Sequence, residues 1–453
     1  MTTRTVTFGP EHATRAPDRV TSQLTSRPRA PARLPLTERL IRMASAAAVA
    51  GICALISWHI VVRAQGMEWY RPIGLYTLVV SSYVTSRFVL AAFYRPPRDA
   101  GLEPRVAIVV PAFNEGEAVV RTIDSCLALD YPADKLEVVV VNDGSSDDTW
   151  DYMQQAVGRH PEGGVTCIDL GSNQGKRAAM AAGIRATTAE ILLFVDSDSM
   201  PAANALRRLV QAFADPRVGA AAGITHVRNA TTNALTKMQA ARYYVSFQLL
   251  KTAESVFGAV SCCPGCFAAY RREAILPLLE GWEHQRFLGV ECTYGDDRAL
   301  TNRVLRSGWR SVYDSTAEAW TDAPDEYRKF FRQQLRWKKS WSREGPILLS
   351  HIWRSRPPAF PSVLIATTAG LASPFVMTWN LFVHPFLSGL FPLLYVIALY
   401  LVAGAYGLLL RSQKNNGLGI WAVIGTFFYV GFSFQIVWAL LRLRDGSWGT
   451  RSV

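Results

Sequence analysis

Residues 136–144 read Leu136-Glu-Val-Val-Val-Val-Asn-Asp-Gly144, and residues 191–198 read Ile191-Leu-Leu-Phe-Val-Asp-Ser-Asp198. In each, a short apolar run stops abruptly at a polar turn carrying an aspartate. A strand covered on one face alternates apolar with polar residues, whereas one covered on both faces is apolar throughout. Both runs therefore predict central strands of a parallel sheet. Arg105-Val-Ala-Ile-Val-Val-Pro111 has the same form and ends at a proline. Helix-like segments at 115–129, after Gly144 and at 175–187, with a strand near 165–170, complete a β-α-β-α alternation. That alternation predicts an α/β fold, a mostly parallel Rossmann-like sheet with helices on both faces. Ligands of such sheets sit outside the carboxyl ends of the strands, where Asp143 and Asp196 stand.

Working outward, the stretch 100–345 has ordinary soluble composition and is long enough for one substantial core. Apolar residues concentrate at 43–62, 72–94, 361–383, 387–410 and 417–441 of the 453 residues. Each run is close to the ~20 residues that cross a bilayer as a helix. Much of the net charge of +12 lies in the first 42 residues, where Arg4, Arg15, Arg19, Arg27, Arg29, Arg33, Arg39 and Arg42 face only Glu11, Asp18 and Glu38. Beside a membrane run this predicts a disordered cytosolic tail rather than a nucleic-acid surface. A cleaved leader fits less well, because no small-residue cleavage site followed by a secreted domain appears. A hairpin at 43–94 would return the chain to the cytosol near residue 95. The α/β domain at 100–324 would then be cytosolic, and Arg87 would snorkel toward Arg95 and Arg98. Seven scattered cysteines fit a reducing compartment, and Cys263-Pro-Gly-Cys266 lacks the second pair that a structural zinc would need.

Basic and aromatic residues interleave at 327–339, which predicts interfacial amphipathic helices over 325–356. A C-terminal membrane region at 361–441 and a tail at 442–453 follow. The last apolar run, interrupted by Gly425 and Gly431, is expected to be split or re-entrant. Asn380, His384, Ser388, Tyr395, Tyr400, Ser433 and Gln435 could line a polar path through these runs or simply join neighbouring helices.

Four motifs can carry chemistry. Asp196 and Asp198, two residues apart at a strand end, could hold Mg2+ or Mn2+ against a diphosphate. Asp143 could accept hydrogen bonds from a base or ribose, or only start the turn at Gly144. Lys176, at a helix start, could meet an anionic phosphate or be solvated. In Tyr294-Gly-Asp-Asp-Arg298, Asp297 is the candidate general base for an attacking hydroxyl. Alternating side-chain directions would let only one of Asp296 and Asp297 face a pocket, the other holding Arg298. In Gln333-Gln-Leu-Arg-Trp337, Arg336 could balance a departing diphosphate and Trp337 could stack on a sugar, although an interfacial helix also favours both residues.

In this order the four motifs resemble those of inverting, processive family 2 glycosyltransferases, from about residue 70 to the C-terminus. Gly295-Asp-Asp-Arg-Ala-Leu-Thr-Asn302, Asp314-Ser-Thr-Ala317, Gln333-Gln-Leu-Arg-Trp-Lys-Lys-Ser340 and Trp448-Gly-Thr-Arg451 resemble hyaluronan synthases. Ser261-Cys-Cys-Pro-Gly-Cys-Phe-Ala-Ala-Tyr-Arg-Arg272 instead resembles the acceptor-side loop of chitin and chitooligosaccharide synthases. The resemblance implies a GT-A domain between transmembrane helices of a multi-pass cell-membrane protein, with a divalent cation, Mg2+ or Mn2+. It implies UDP-GlcNAc as donor, a growing β-linked polysaccharide and the lipid bilayer as partners. The hyaluronan type adds UDP-GlcA, while the chitin type does not. Carried over by motif, it implies nucleotide-sugar contacts at Pro111, Glu115, Asp143, Lys176, Asp196 and Arg336, and metal at Asp198 with Asp196. Catalysis falls to Asp297 with Asp296, and acceptor or product contacts fall to Cys263, Pro264, Gln333 and Trp337. A chitin or chitooligosaccharide synthase using UDP-GlcNAc only is the alternative, ahead of a non-processive lipid glycosyltransferase, which would have no use for a motif that grips a growing chain.

Overall fold

The computed structural model describes residues 70–160, 164–389, 393–411 and 417–445, with a few helical positions between 40 and 51. The basic tail and the first apolar run lie almost entirely outside the described residues, as does Trp448–Arg451. The strands are β1 (Val106–Ala112), β2 (Leu136–Asn142), β3 (Val165–Asp169), β4 (Ile191–Phe194) and β5 (Met200–Pro201), then β6 (Val218–Val227) and β7 (Ala268–Arg271). A two-stranded hairpin, β8 (Arg286–Phe287) and β9 (Val290–Glu291), stands apart, and β10 (Arg310–Thr321) completes the main sheet. Its order is β3-β2-β1-β4-β7-β6-β10-β5.

All seven residues of β1 are buried. Val106, Ile108 and Val110 pack on one face with Val119, Ile123 and Met153, while Ala107 and Val109 pack on the other with Met180, Ile184 and Trp282. Two cores, one per face, are why the run is apolar without alternation. Each fully buried aliphatic side chain stabilises the sheet by about 1.5–3 kcal/mol. The chain moves outward from β1 through β2 to β3, then returns to β4 on the other side of β1. Strand order thus reverses at β1 and leaves a crevice at the carboxyl ends. The sheet is parallel there and between β6 and β10, but β7 runs antiparallel between β4 and β6.

Helices α1 (Tyr70–Phe93), α2 (Ala118–Leu127), α3 (Thr149–Arg159) and α4 (Lys176–Arg185) are followed by α5 (Ala234–Val245), which runs on through a π-helical turn at Ser246–Lys251. Then come α6 (Asp296–Arg306) and α7 (Tyr327–Ser355), one continuous helix of 29 residues where separate amphipathic helices were expected. It leaves Tyr327, Phe331, Trp337 and Trp353 exposed. The apolar helices are α8 (Phe360–Thr378), α9 (Leu393–Arg411), α10 (Gly419–Gly431) and α11 (Gln435–Leu441).

Among the described residues, two stretches, Pro357–Ser388 and Gly419–Leu441, are long and apolar enough to cross a membrane by length and composition, and Val79–Phe93 and Tyr395–Leu410 are shorter. The last run is interrupted after Gly431 by a 3-10 turn at Phe432–Phe434, whereas Gly425 lies inside α10. Arg87 does not snorkel. It is buried, donates to Ser362 Oγ at 2.8 Å and sits 4.6 Å from the Tyr83 ring centroid, because α8 supplies the partner that solvent would have supplied. Asn380 and Ser388 donate to carbonyls of their own helices, while Gln435 reaches the Phe331 carbonyl and ties α11 to α7.

Candidate functional site

At the carboxyl ends of β1 and β4 the surface opens into a cavity of about 860 Å3. Pro111 is the penultimate residue of β1 and Glu115 follows that strand, while Asp196 and Asp198 follow β4, so the topology alone delivers them to one wall. Lys176, at the first position of α4, reaches across to Asp196 Oδ1 at 2.5 Å and lies 3.6 Å from Asp296 Oδ2. Opposite stand Gln333, Gln334, Arg336 and Trp337 of α7, and the cavity continues to Gly370 of α8 and Ile436 of α11.

Asp143 is brought near but not to the wall. It is almost fully buried, and its Oδ1 accepts from the amides of Gln174 and Gly175 at 2.8 and 3.1 Å. It fixes the loop that presents Lys176. Cys263 is likewise turned away. It is fully buried with Phe194 and Tyr270, and its amide donates to Thr301 Oγ1 at 3.0 Å. The cavity is lined instead by its neighbours Cys262, Pro264, Gly265 and Cys266.

Asp296 and Asp297 both line the cavity, contrary to the expectation that one would turn away. They open α6, and successive helical residues sit about 100° apart rather than on opposite faces. Gly295 caps this helix at φ +73°, and a Cβ there would lie 2.1 Å from Ser340 Oγ on α7. Only glycine meets both conditions. The other carboxylate does not hold Arg298. Asp296 faces Lys176, while the Arg298 amide donates to Asp297 Oδ1 at 2.7 Å.

The surroundings push these two acids apart. Burial acts to raise Asp296, but Lys176, Arg177, its own backbone amide and Arg336 outweigh it and hold the carboxyl below its usual range. Burial and then the Asp296 charge raise Asp297, against the pull of Arg298 and Lys176. A carboxyl lowered in this way favours the ionised form, and one raised could take a proton from a neighbouring hydroxyl. Asp198 opens onto the cavity but is surrounded by protein, and it is pushed up to about 6, first by that partial desolvation and then by Asp196 and Glu115. Asp196 and Asp198 face one space and offer hard oxygen donors, although no cluster of three or more metal-ligating side chains is found among the described residues. That pair fits Mg2+ or Mn2+, which commonly rely on one or two carboxylates plus substrate phosphates.

Beneath the acids lies a buried polar network. Arg177 donates to the carbonyl of Trp282 and to Gln285 Oε1 at 2.7 and 2.9 Å. Arg343 donates to the Tyr294 carbonyl at 2.8 Å and to Glu344 at 2.9 Å. Glu344 also accepts from Gln285 and Asn302, each at 2.9 Å. Two guanidinium groups thus face two carboxylates, Asp296 and Glu344, and α4, α6 and α7 share one anchor.

Sequence reasoning missed the wall formed by Arg242, Tyr243, Ser246, Phe247 and Lys251. The signal was present, because these residues recur at helical spacing through 234–251. Lys338 was read only as part of a basic surface. It lines the cavity, where burial and then Arg242 lower it to about 7.

Residues 104–340 match the family described as glycosyltransferase like family 2. A hyaluronan synthase from Streptococcus pyogenes is 35% identical over 314 residues, covering 68% of this chain and 70% of that protein. An N-acetylglucosaminyltransferase from Azorhizobium caulinodans is 34% identical over 282 residues, covering 60% of this chain and 70% of that protein. Among solved structures, a mannosyltransferase from Pyrobaculum calidifontis in complex with GDP-Man and Mn2+ superposes with a TM-score of 0.58 at 21% identity. The superposition covers 90% of this chain and 98% of that one, and the likeness is one of fold.

Proposed function

The chain belongs to glycosyltransferase family 2, and on that premise we propose that it is an inverting, processive synthase. It polymerises N-acetylglucosamine from UDP-GlcNAc, with UDP-GlcA as second donor in the hyaluronan-type reading, and passes the β-linked product across the cell membrane. One observation carries the proposal. A single cavity runs from the carboxylates at the strand ends, past Asp297 and the Gln333-to-Trp337 segment, to Gly370 and Ile436 of the apolar helices. A transferase that releases each product has no need of that continuity. Similarity to hyaluronan synthase and to N-acetylglucosaminyltransferase supports the donor class.

The groups that line the cavity support this chemistry. Asp297 takes the proton from the acceptor hydroxyl as that oxygen bonds to the anomeric carbon. The bond from the anomeric carbon to the diphosphate breaks, and its electron pair leaves with UDP. Lys176 and Arg336 stand where they balance the departing charge. Asp198 and Asp196, with Glu115 beside them, would hold Mg2+ or Mn2+, which when bound supplies Lewis-acid neutralisation of the diphosphate. Trp337 offers its indole face to a sugar ring, and Gln333 and Pro264 bound the same space. The five apolar runs, with the α/β domain on the cytosolic side, would lodge the synthase in the membrane and carry the chain outward.

Purified protein given labelled UDP-GlcNAc, alone and then with UDP-GlcA, tests the reading by the size and composition of the product. A polymer requiring both donors identifies the hyaluronan type, and a GlcNAc-only polymer the chitin type. Single-sugar transfer to lipid would overturn processivity. In vesicles with outward-facing catalytic domains, polymer protected from added glycosidase supports export, and wholly digestible polymer refutes it.

A further inference from the structure

The loop beside the proposed base is held more firmly than a simple substrate wall requires. Ser261 is pinned by Glu254, its amide and hydroxyl donating to that carboxylate at 2.9 and 3.1 Å. The Cys262 carbonyl accepts from the Lys251 ammonium. The Cys263 amide donates to Thr301 Oγ1, and the same hydroxyl donates to the Asp297 carbonyl at 2.8 Å. Loop and base thus share one threonine. Between these anchors the Cys262 thiol points at Asp297, with Sγ 3.3 Å from Oδ2.

We propose that Cys262 is a positioning residue for Asp297, its S–H donating to Oδ2 and fixing which lone pair of that carboxylate faces the acceptor hydroxyl. The proposal rests on the reading of Asp297 as the base. With Oδ1 bound to the Arg298 amide and Oδ2 to the thiol, rotation of the carboxylate is blocked from both sides. A thiol suits this role because it is a weak donor. A strong donor would stabilise the ionised carboxylate and reduce its appetite for a proton.

The alternative, a reactive cysteine, requires thiolate. Burial and then the Asp297 charge raise the Cys262 thiol and keep it protonated. The other groups around the base are Asp296 and Arg298 on its own helix, Lys176 of α4, Lys251 of the π-turn, Cys263 and Cys266 of the loop and Tyr270 of β7. Apart from the thiol, the Arg298 amide is the donor seen on the carboxylate oxygens.

The full chain in detergent tests the proposal through kcat against pH, at saturating UDP-GlcNAc with Mn2+, alongside the affinity for UDP with Mn2+. Cys262→Ala should keep UDP affinity but move the acid limb upward by about one pH unit, so that activity on that limb falls about tenfold. Cys262→Ser, a stronger donor in the same place, should move the limb below that of the wild type. Limbs that coincide in all three proteins, even with a uniformly lower kcat, would overturn the thiol's role, provided Asp297→Asn is inactive. If Asp297→Asn retains transfer, the base assignment itself fails and this proposal with it.

Discussion

Glu344→Gln is the most informative change outside the cavity. The side chain is 1% exposed, and its two oxygens accept from Arg343 Nε, Gln285 Nε2 and Asn302 Nδ2, all at 2.9 Å. Glutamine keeps the shape, but it removes the charge opposite Arg343 and replaces one acceptor with a donor that faces another donor. Removing one partner of a buried, hydrogen-bonded ion pair costs about 3–5 kcal/mol, because the remaining charge is left uncompensated. For a domain of this size each kcal/mol moves the melting temperature by about 2–4 °C, so a loss of roughly 6–20 °C is expected. A fluorescence melt of the detergent-solubilised protein reads it directly. Transfer should fall as well, since α6 and α7 would lose their common anchor and Asp297 would shift relative to Trp337. Melting within about 2 °C of the wild type, with unchanged activity, would refute the view that this network holds the site together.

Three further outcomes are expected. Asp297→Asn should bind UDP normally while transfer falls by about 10²–10⁴-fold, measured by radiolabel incorporation beside calorimetric UDP binding. Asp198→Asn should lower turnover by orders of magnitude and weaken the requirement for Mg2+ or Mn2+; full activity in the presence of chelator would remove Asp198 from any metal role. Asp314 is buried, and burial raises it to about 6 despite hydrogen bonds from Thr316. An acid raised in the folded state contributes stability that is complete below about pH 4 and lost as pH rises through about 6. The loss amounts to about 3 kcal/mol, so Asp314→Asn should flatten the decline of stability between pH 4 and 7 in denaturant titrations.

The strands flanking the switch point were legible because burial on both faces writes itself as unbroken valine and isoleucine. The other half of the sheet was not. β6 reads Val218-Gly-Ala-Ala-Ala-Gly-Ile-Thr-His-Val227, and alanine is the best helix former. It is a strand because its neighbours leave no room for larger side chains. A Cβ on Gly223 would lie 2.3 Å from the Phe267 ring, so tertiary packing overrides local preference. The same limit applies at the site. The sequence placed Asp196, Asp198, Asp296 and Asp297 near one another through motif and topology, and all four line the cavity. Which cysteine of the adjacent pair faces outward depends on Thr301, 38 residues away, and could not be read locally. Asp143 ends a strand as a contact residue would, but that its Oδ1 accepts from the Gln174 and Gly175 amides could not be read from the sequence.

The π-helical turn at Ser246–Lys251 has a consequence for how this cavity can vary. Tyr243 and Lys251 are eight residues apart and line the same cavity. In an uninterrupted α-helix they would point about 80° away from one another. The wider turn, bonded i to i+5, brings the ammonium back toward the face that carries the tyrosine. That ammonium binds the Cys262 carbonyl and steadies the loop beside Asp297. Winding the same residues as plain α-helix would swing Lys251 out of line by about that angle, whereas deleting one residue from the turn would leave the two positions seven apart and only about 20° off one line. A change of one in length can therefore be absorbed at this point, while a change of winding at constant length would reshape the cavity.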